Sequence, residues 1–256
     1  MITFKKSDEV AKMKRAGRVV ADIHDAMRER IRTGVDTLSL SDEADRILAL
    51  SSARSPFMGY RTRGVRMPFP NSICVSINEE VVHGIPSRDR ILREGDIVSI
   101  DVGAIIDGYN GDAACTYPVG EISPKRAELL RVTLEALHIG IKEAAAGRTI
   151  GDIGHAIEVW VLGNGHGLVR EYSGHGIGRK MHEAPQVPNY GAPHSGVTIK
   201  PGMTFCIEPM VMNGGEKIES AENGWTVVTS DKSDAAHFEH TLLITDAGAE
   251  ILTPWE

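Results

Sequence analysis

Apolar residues recur at gaps of three and four along Val10, Met13, Gly17, Val20, Ile23, Met27 and Ile31. That spacing predicts one inward face of a helix, with Ser7 as its N-cap and an end near Gly34. A second, shorter helix is predicted from about Ser39 to Ala53, with Leu40, Ala44, Ile47 and Leu48 inward. The period then changes. Ser72–Asn78, Ile97–Asp107 and Asp112–Pro118 are β-rich and separated by glycine-containing turns. Helices return at Ser123, an N-cap followed by Pro124 at the first helical position, and run to about Ala146. Thr149 opens a further helix ending near Leu162. Strands follow over Met203–Met210, Thr226–Thr229 and His237–Ile244.

The order helix, helix, strands therefore occurs twice. Two short matches accompany it: His83-Gly84-Ile85 with His175-Gly176-Ile177, and Gly95 to Asp101 with Gly202 to Glu208. In the second match a carboxylate stands six residues after a turn glycine, at the end of an apolar strand. Chance also yields matches this short, so a duplication and a coincidence both stay open on the residues alone.

Composition narrows the class. With 256 residues and 41% hydrophobic content, the chain can bury a real core, as one large domain or two fused halves. A net charge of −7 gives no overall pull toward nucleic acid or anionic lipid. Cys74, Cys115 and Cys206 are odd in number and widely spaced, which speaks against a disulfide framework and for a reducing compartment. No secretory h-region or membrane-length apolar run is present, so the expected location is the cytoplasm.

The candidate chemistry lies in acids that end or open apolar strands. Asp101 closes Ile97-Val98-Ser99-Ile100, and Asp112 opens the next strand after a tight turn, so the two are expected to be cross-strand neighbours. Paired, dehydrated carboxylates need a cation, a shared proton or an arginine; the competing reading is a pair of turn caps. Glu208 follows Phe205-Cys206-Ile207, Glu239 leads into another apolar strand, and His175 stands between two glycines. Four carboxylates and one imidazole call for about four matching positive charges, which two divalent ions supply. Such oxygen-rich ligands suit Mn, Fe(II), Co or Zn. An HExxH motif fails because Gln186 stands four after His182, and no GxSxG or P-loop is present.

Asn78–Pro86 (NEEVVHGIP), Asp101–Asp112 (DVGAIIDGYNGD), Ser173–Pro185 (SGHGIGRKMHEAP), Phe205–Met210 (FCIEPM) and Phe238–Thr241 (FEHT) together resemble the motifs of type I methionine aminopeptidases, in the right order over nearly the whole chain. The resemblance implies an α+β pita-bread fold: a curved antiparallel sheet flanked by two helix pairs with internal pseudo-twofold symmetry, residues 1–256 forming one domain. It implies that Asp112 and Glu239 bridge two divalent ions, that Asp101 holds one, and that His175 and Glu208 hold the other. His83 and His182 would face the substrate. The implied activity is removal of the initiator methionine from nascent polypeptides, preferring a small second residue, through attack by a water that the two metals activate. Glu208 would shuttle the proton while His83 and His182 stabilise the tetrahedral state. A monomer is implied. The stretch between His175 and Glu208 lacks the insertion of type II enzymes, and the chain begins without the N-terminal domain expected of Xaa-Pro peptidases.

Three positions depart from the usual pattern: His237 stands where Gln is usual, Met181 where Phe is common, and Arg66-Met67-Pro68-Phe69 where many members carry an aromatic run. A methionine pocket is expected from Cys74, Phe69, Met181 and Trp225, because sulfur and aromatic neighbours suit a flexible thioether; plain strand core is the competing reading for Cys74. His166, His194, His237 and His240 are read as surface or packing residues. Arg61, Arg63 and Arg66 read as a solvated loop ahead of a transient ribosome contact. The rivals are an Xaa-Pro peptidase on the same fold and a metal-free binding module that would have lost ligands.

Overall fold

The computed structural model describes residues 2–62 and 64–255; Arg63 of the basic cluster lies outside the described residues. Helices α1 (Ser7–Arg30) and α2 (Thr37–Leu50) precede β1 (Ile73–Ile77), β2 (Glu80–Val82), β3 (Ile97–Ile106) and β4 (Tyr109–Pro118). A second helix pair, α3 (Pro124–Glu143) and α4 (Ile150–Gly163), precedes β5 (Gly167–Leu168), β6 (Gly174–Gly176), β7 (Glu183–Val187), β8 (Thr204–Ile207) and β9 (Met210–Met212). The chain continues through β10 (Ile218–Ser220), β11 (Val227–Thr229), β12 (Ala235–His237), β13 (His240–Thr245) and β14 (Gly248–Ile251).

Helix starts follow from their caps. Asp36 accepts the Ser39 N–H at 2.9 Å, so α2 begins two residues before the expected Ser39. At α1 the cap is Lys6, whose N–H donates to the Glu9 carboxylate at 2.9 Å, which makes Ser7 the first helical residue. Ser123 and Thr149 cap α3 and α4 as expected, and Asp152 reaches back to the Thr149 N–H at 2.8 Å.

One antiparallel ladder runs β1-β3-β4 and another β14-β13-β8-β6-β7. The backbone at Gly84 returns alongside β1, donated to by the Val75 N–H at 2.9 Å. Outward from the middle of the molecule, the first half therefore reads β4, β3, β1 and the Gly84 segment, and the second reads β13, β8, β6 and β7. This is the duplication. The match between Gly95–Asp101 and Gly202–Glu208 is part of it, since β3 and β8 hold equivalent places. The His-Gly-Ile match is not: His175 lies on β6, whereas His83 lies beyond β2 on the returning segment.

The two ladders meet where β4 passes β13. Glu239 N–H donates to the Ala114 carbonyl at 2.8 Å. The Thr241 hydroxyl accepts from Asp112 N–H at 3.0 Å and donates to the Asp112 carbonyl at 2.8 Å. Two expected strands break at this seam. Met203–Met210 splits into β8 and β9 around Glu208-Pro209, where Pro209 offers no N–H to a ladder. His237–Ile244 splits into β12 and β13 around Phe238-Glu239. Each break leaves a carboxylate where strand pairing stops.

Helix α1 lies against β3 and β4. Gly17 belongs to its inward stripe because a Cβ there would stand 1.8 Å from the Leu252 carbonyl oxygen. Backbone cannot step aside as a side chain can, so Gly17→Ala is expected to cost about 3 kcal/mol, read as a lower denaturant midpoint at unchanged m-value.

Candidate metal centre

Asp101 and Asp112 come from β3 and β4. The register sets Asp101 opposite Ala114 and Asp112 opposite Gly103. The two acids are thus diagonal neighbours on one face rather than directly opposed, still within reach of a shared partner. From the second half come His175 on β6, Glu208 just past β8 and Glu239 just before β13. His175 Nε2 stands 3.7 Å from Asp112 Oδ2 and 3.6 Å from Glu208 Oε1. The structure therefore brings all five expected ligands to the seam between the halves.

Burial dominates their electrostatics. It pushes Asp101 up to about 7. Asp112 and Glu239 are driven well above the usual carboxylate range, first by burial, then by neighbouring acids, among them Glu239 for Asp112 and Glu208 for Glu239. Glu208 is raised by burial and by the charges of Asp112 and Asp101. His175 is held down to about 4 by burial and by His182, so its imidazole is neutral near pH 7, the state a metal ligand needs.

The donor set fits divalent ions. Asp101 Oδ1, Asp112 Oδ1 and Glu239 Oε1 are buried with no hydrogen-bond partner among the described residues. Buried polar atoms without partners are costly, and here they converge on hard-oxygen and imidazole neighbours. The donor atoms of Asp112, His175, Cys206 and Glu239 all lie within 4.8 Å of one another.

Two residues beside the candidate ligands carry no signal of that place in the sequence. Cys206 is fully buried, its sulfur 3.4 Å from the Thr241 hydroxyl. Burial and the nearby Glu239, Asp112 and Glu208 charges raise its thiol well above the ordinary range, so it stays protonated beneath the ligands. His237 is neither a surface nor a packing residue. Its ring is buried and Nε2 points between Glu208 and Glu239. Each stands two residues before a ligand, Cys206 before Glu208 and His237 before Glu239, and that offset carries a strand side chain to the same face. His240, by contrast, packs: its ring stacks on Trp255 at 4.6 Å.

The cluster floors a cavity of about 730 Å³. His83 and His182 both line it. His83 is a non-glycine residue at φ 60°, followed by Gly84, where a Cβ would meet the Val75 carbonyl at 2.1 Å. Burial and His182 hold its imidazole down to about 4. The His182 ring packs edge-on to His175 at 4.4 Å, its Nδ1 lies 3.3 Å from the Tyr60 hydroxyl, and partial burial lowers it. Cys74, Phe69 and Trp225 form one buried apolar cluster beside the metal cavity, with Phe69 edge-on to Trp225 at 5.4 Å, and Met181 lines the wall. Tyr60 and Tyr172, also lining it, gave no signal in the sequence. Arg61 and Arg66 are exposed.

Residues 11–246 match the model of metallopeptidase family M24. The chain is 46% identical over 253 residues to methionine aminopeptidase 1 of Bacillus subtilis, covering 99% of each. It is 42% identical to the Escherichia coli K12 methionine aminopeptidase, covering 98% of this chain and 94% of that one. Among solved structures, methionine aminopeptidase from Thermotoga maritima superposes with a TM-score of 0.95 at 46% identity, covering 99% of both chains. Prolidase from Pyrococcus furiosus shares the fold alone, at 24% identity and a TM-score of 0.79, over 99% of this chain and 66% of that one.

Proposed function

The chain belongs to metallopeptidase family M24, with its pita-bread fold, and from that premise we propose how its site removes methionine from the N-terminus of other polypeptides. It is a hydrolytic metallo-aminopeptidase that binds divalent metal. The observation that carries the reading is the convergence of five ligand-type side chains from both halves on the floor of one cavity walled by two neutral imidazoles.

Asp101, Asp112, His175, Glu208 and Glu239 would hold two divalent ions. Ions of this class acidify a water and polarise a carbonyl at neutral pH. Around them the chain does the rest. Glu208 accepts the proton of the attacking water and returns it to the leaving amine. Its side chain is 13% exposed against 4% for Asp112 and 2% for Glu239, which makes it the most solvent-accessible of these three. His83 and His182, neutral near pH 7, each carry one N–H to donate to the scissile carbonyl and amide. Cys74, Phe69, Met181 and Trp225 receive the methionine side chain, and the site prefers a small second residue. We read residues 1–256 as one catalytic domain, acting as a monomer on nascent chains. A cytoplasmic setting is supported by three buried cysteines with no disulfide among the described residues. No described helix is long and apolar enough to cross a membrane.

The test compares hydrolysis of Met-Ala-Ser with that of an Xaa-Pro peptide, using chelator-stripped protein with Mn(II) or Co(II) restored. Methionine release only with metal, and no cleavage at proline, is the expected outcome. Cleavage at proline would overturn the substrate, and inactivity with every metal would overturn the peptidase reading.

A further inference from the structure

His237 is a buried imidazole beside this site that the five-ligand scheme leaves without work. Its backbone is pinned. The Thr116 hydroxyl accepts from His237 N–H and donates to its carbonyl, both at 2.9 Å. Because that spends the single Thr116 proton, the Ser99 hydroxyl, 2.8 Å away, must be the donor to Thr116. The ring so anchored has a side-chain exposure of 3%, and Nε2 has no hydrogen-bond partner among the described residues. Nε2 lies 3.9 Å from Glu208 Oε2 and 4.0 Å from Glu239 Oε2.

Those distances separate two roles. A hydrogen bond that orients Glu208 needs about 2.7–3.2 Å, and neither contact reaches it. Two donors bound at about 2.0–2.2 Å to one divalent ion can be as far apart as about 4.2 Å and are commonly more than 3 Å apart. The contacts of His237 are 0.2–0.4 Å longer than those of His175 with Asp112 and Glu208, at 3.7 and 3.6 Å, and stay within that reach. An unpaired buried nitrogen at ligand spacing from two carboxylates is placed as a donor to the same ion. We propose that His237 Nε2 is a sixth protein ligand, giving the ion on the Glu208 side a second imidazole. The inference rests on the metal site of the proposed function. A second nitrogen shifts the preference of that position from Mn(II) toward Zn(II), Co(II) or Fe(II), since imidazole suits the latter and carboxylate the former.

The test is side-chain ¹⁵N NMR of the full chain titrated with Zn(II). Nε2 of both His175 and His237 is expected to move to the metal-bound shift range, with assignments from the loss of one resonance each in His175→Gln and His237→Gln. The zinc-over-manganese affinity ratio, from competition dialysis, is expected to fall about tenfold or more in His237→Gln. Circular dichroism of each metal-free variant establishes that it is folded. Movement of the His175 resonance without that of His237 would overturn the sixth ligand and leave the metal site standing. If neither resonance moved, the metal site itself would fall.

Discussion

Glu208→Ala is expected to lower methionine release by about 10²–10⁴-fold at saturating metal, the range by which a positioned proton-transfer group accelerates such reactions. The substitution removes a proton acceptor and a metal ligand together, so Glu208→Gln serves as its companion. Glutamine keeps the length and one carbonyl oxygen for an ion, yet it cannot take a proton from water. If the shuttle role is right, kcat in the glutamine variant falls nearly as far as in alanine while metal content, read by plasma mass spectrometry, stays closer to that of the unaltered chain. A variant of either kind retaining more than about a tenth of the rate would remove Glu208 from that role.

Chelation is expected to abolish activity and to leave a protein that loses stability as pH rises above about 7.5. The sign follows from which state holds protons. Burial raises Asp101 to about 7 when folded, against 3.8 for the free side chain, and holds Asp112, Glu208 and Glu239 well above their ordinary values. A raised carboxylate contributes stability that is full below its unfolded value and is lost as pH climbs through its folded value. Buried His83, His175 and His237 act the other way, being depressed to about 4, 4 and 3. Their effect fades by about pH 7.5, one unit above the free histidine value, where they are neutral in both states. Between about pH 7.5 and 8.5 the raised carboxylates dominate. Each proton the folded site still holds is worth about 1.4 kcal/mol per pH unit, or about 3–5 °C of Tm in a chain of this size. Calorimetry of the chelated protein should show that fall. With metal restored the trend should disappear or reverse, since ions replace protons in the site. A flat profile without metal would mean that the four acids are not held protonated together.

The elements with a strong period or a cap were legible: α1 from its stripe, α3 from Ser123-Pro124, α4 from Thr149. Those that depend on distant partners were not. Nothing local in Glu183–Val187 or Gly248–Ile251 marks a strand, because their pairing partners lie elsewhere in the chain. The carboxylates stood out because acids at the ends of apolar runs are poor choices for stability unless something pairs with them. His237 did not, because a lone histidine beside small residues more often packs, and only the seam shows where its ring points. Cys206 hid for the same reason inside an apolar run. Cys74, Phe69 and Trp225 could be named from chemistry, whereas Tyr60, on an irregular loop with no period, could not.

The candidate ligands divide between the halves, Asp101 and Asp112 on one side of the seam and His175, Glu208 and Glu239 on the other. Metal seated there would act as a removable cross-link between two segments distant in sequence. Like a disulfide, such a link restricts the open chain as well as adding contacts to the closed one. Unlike a disulfide, its strength is set by free metal concentration. Amide exchange along β4 and β13 should therefore track metal supply even where no ligand is near, so that the cell's metal status is read out as the tightness of a joint.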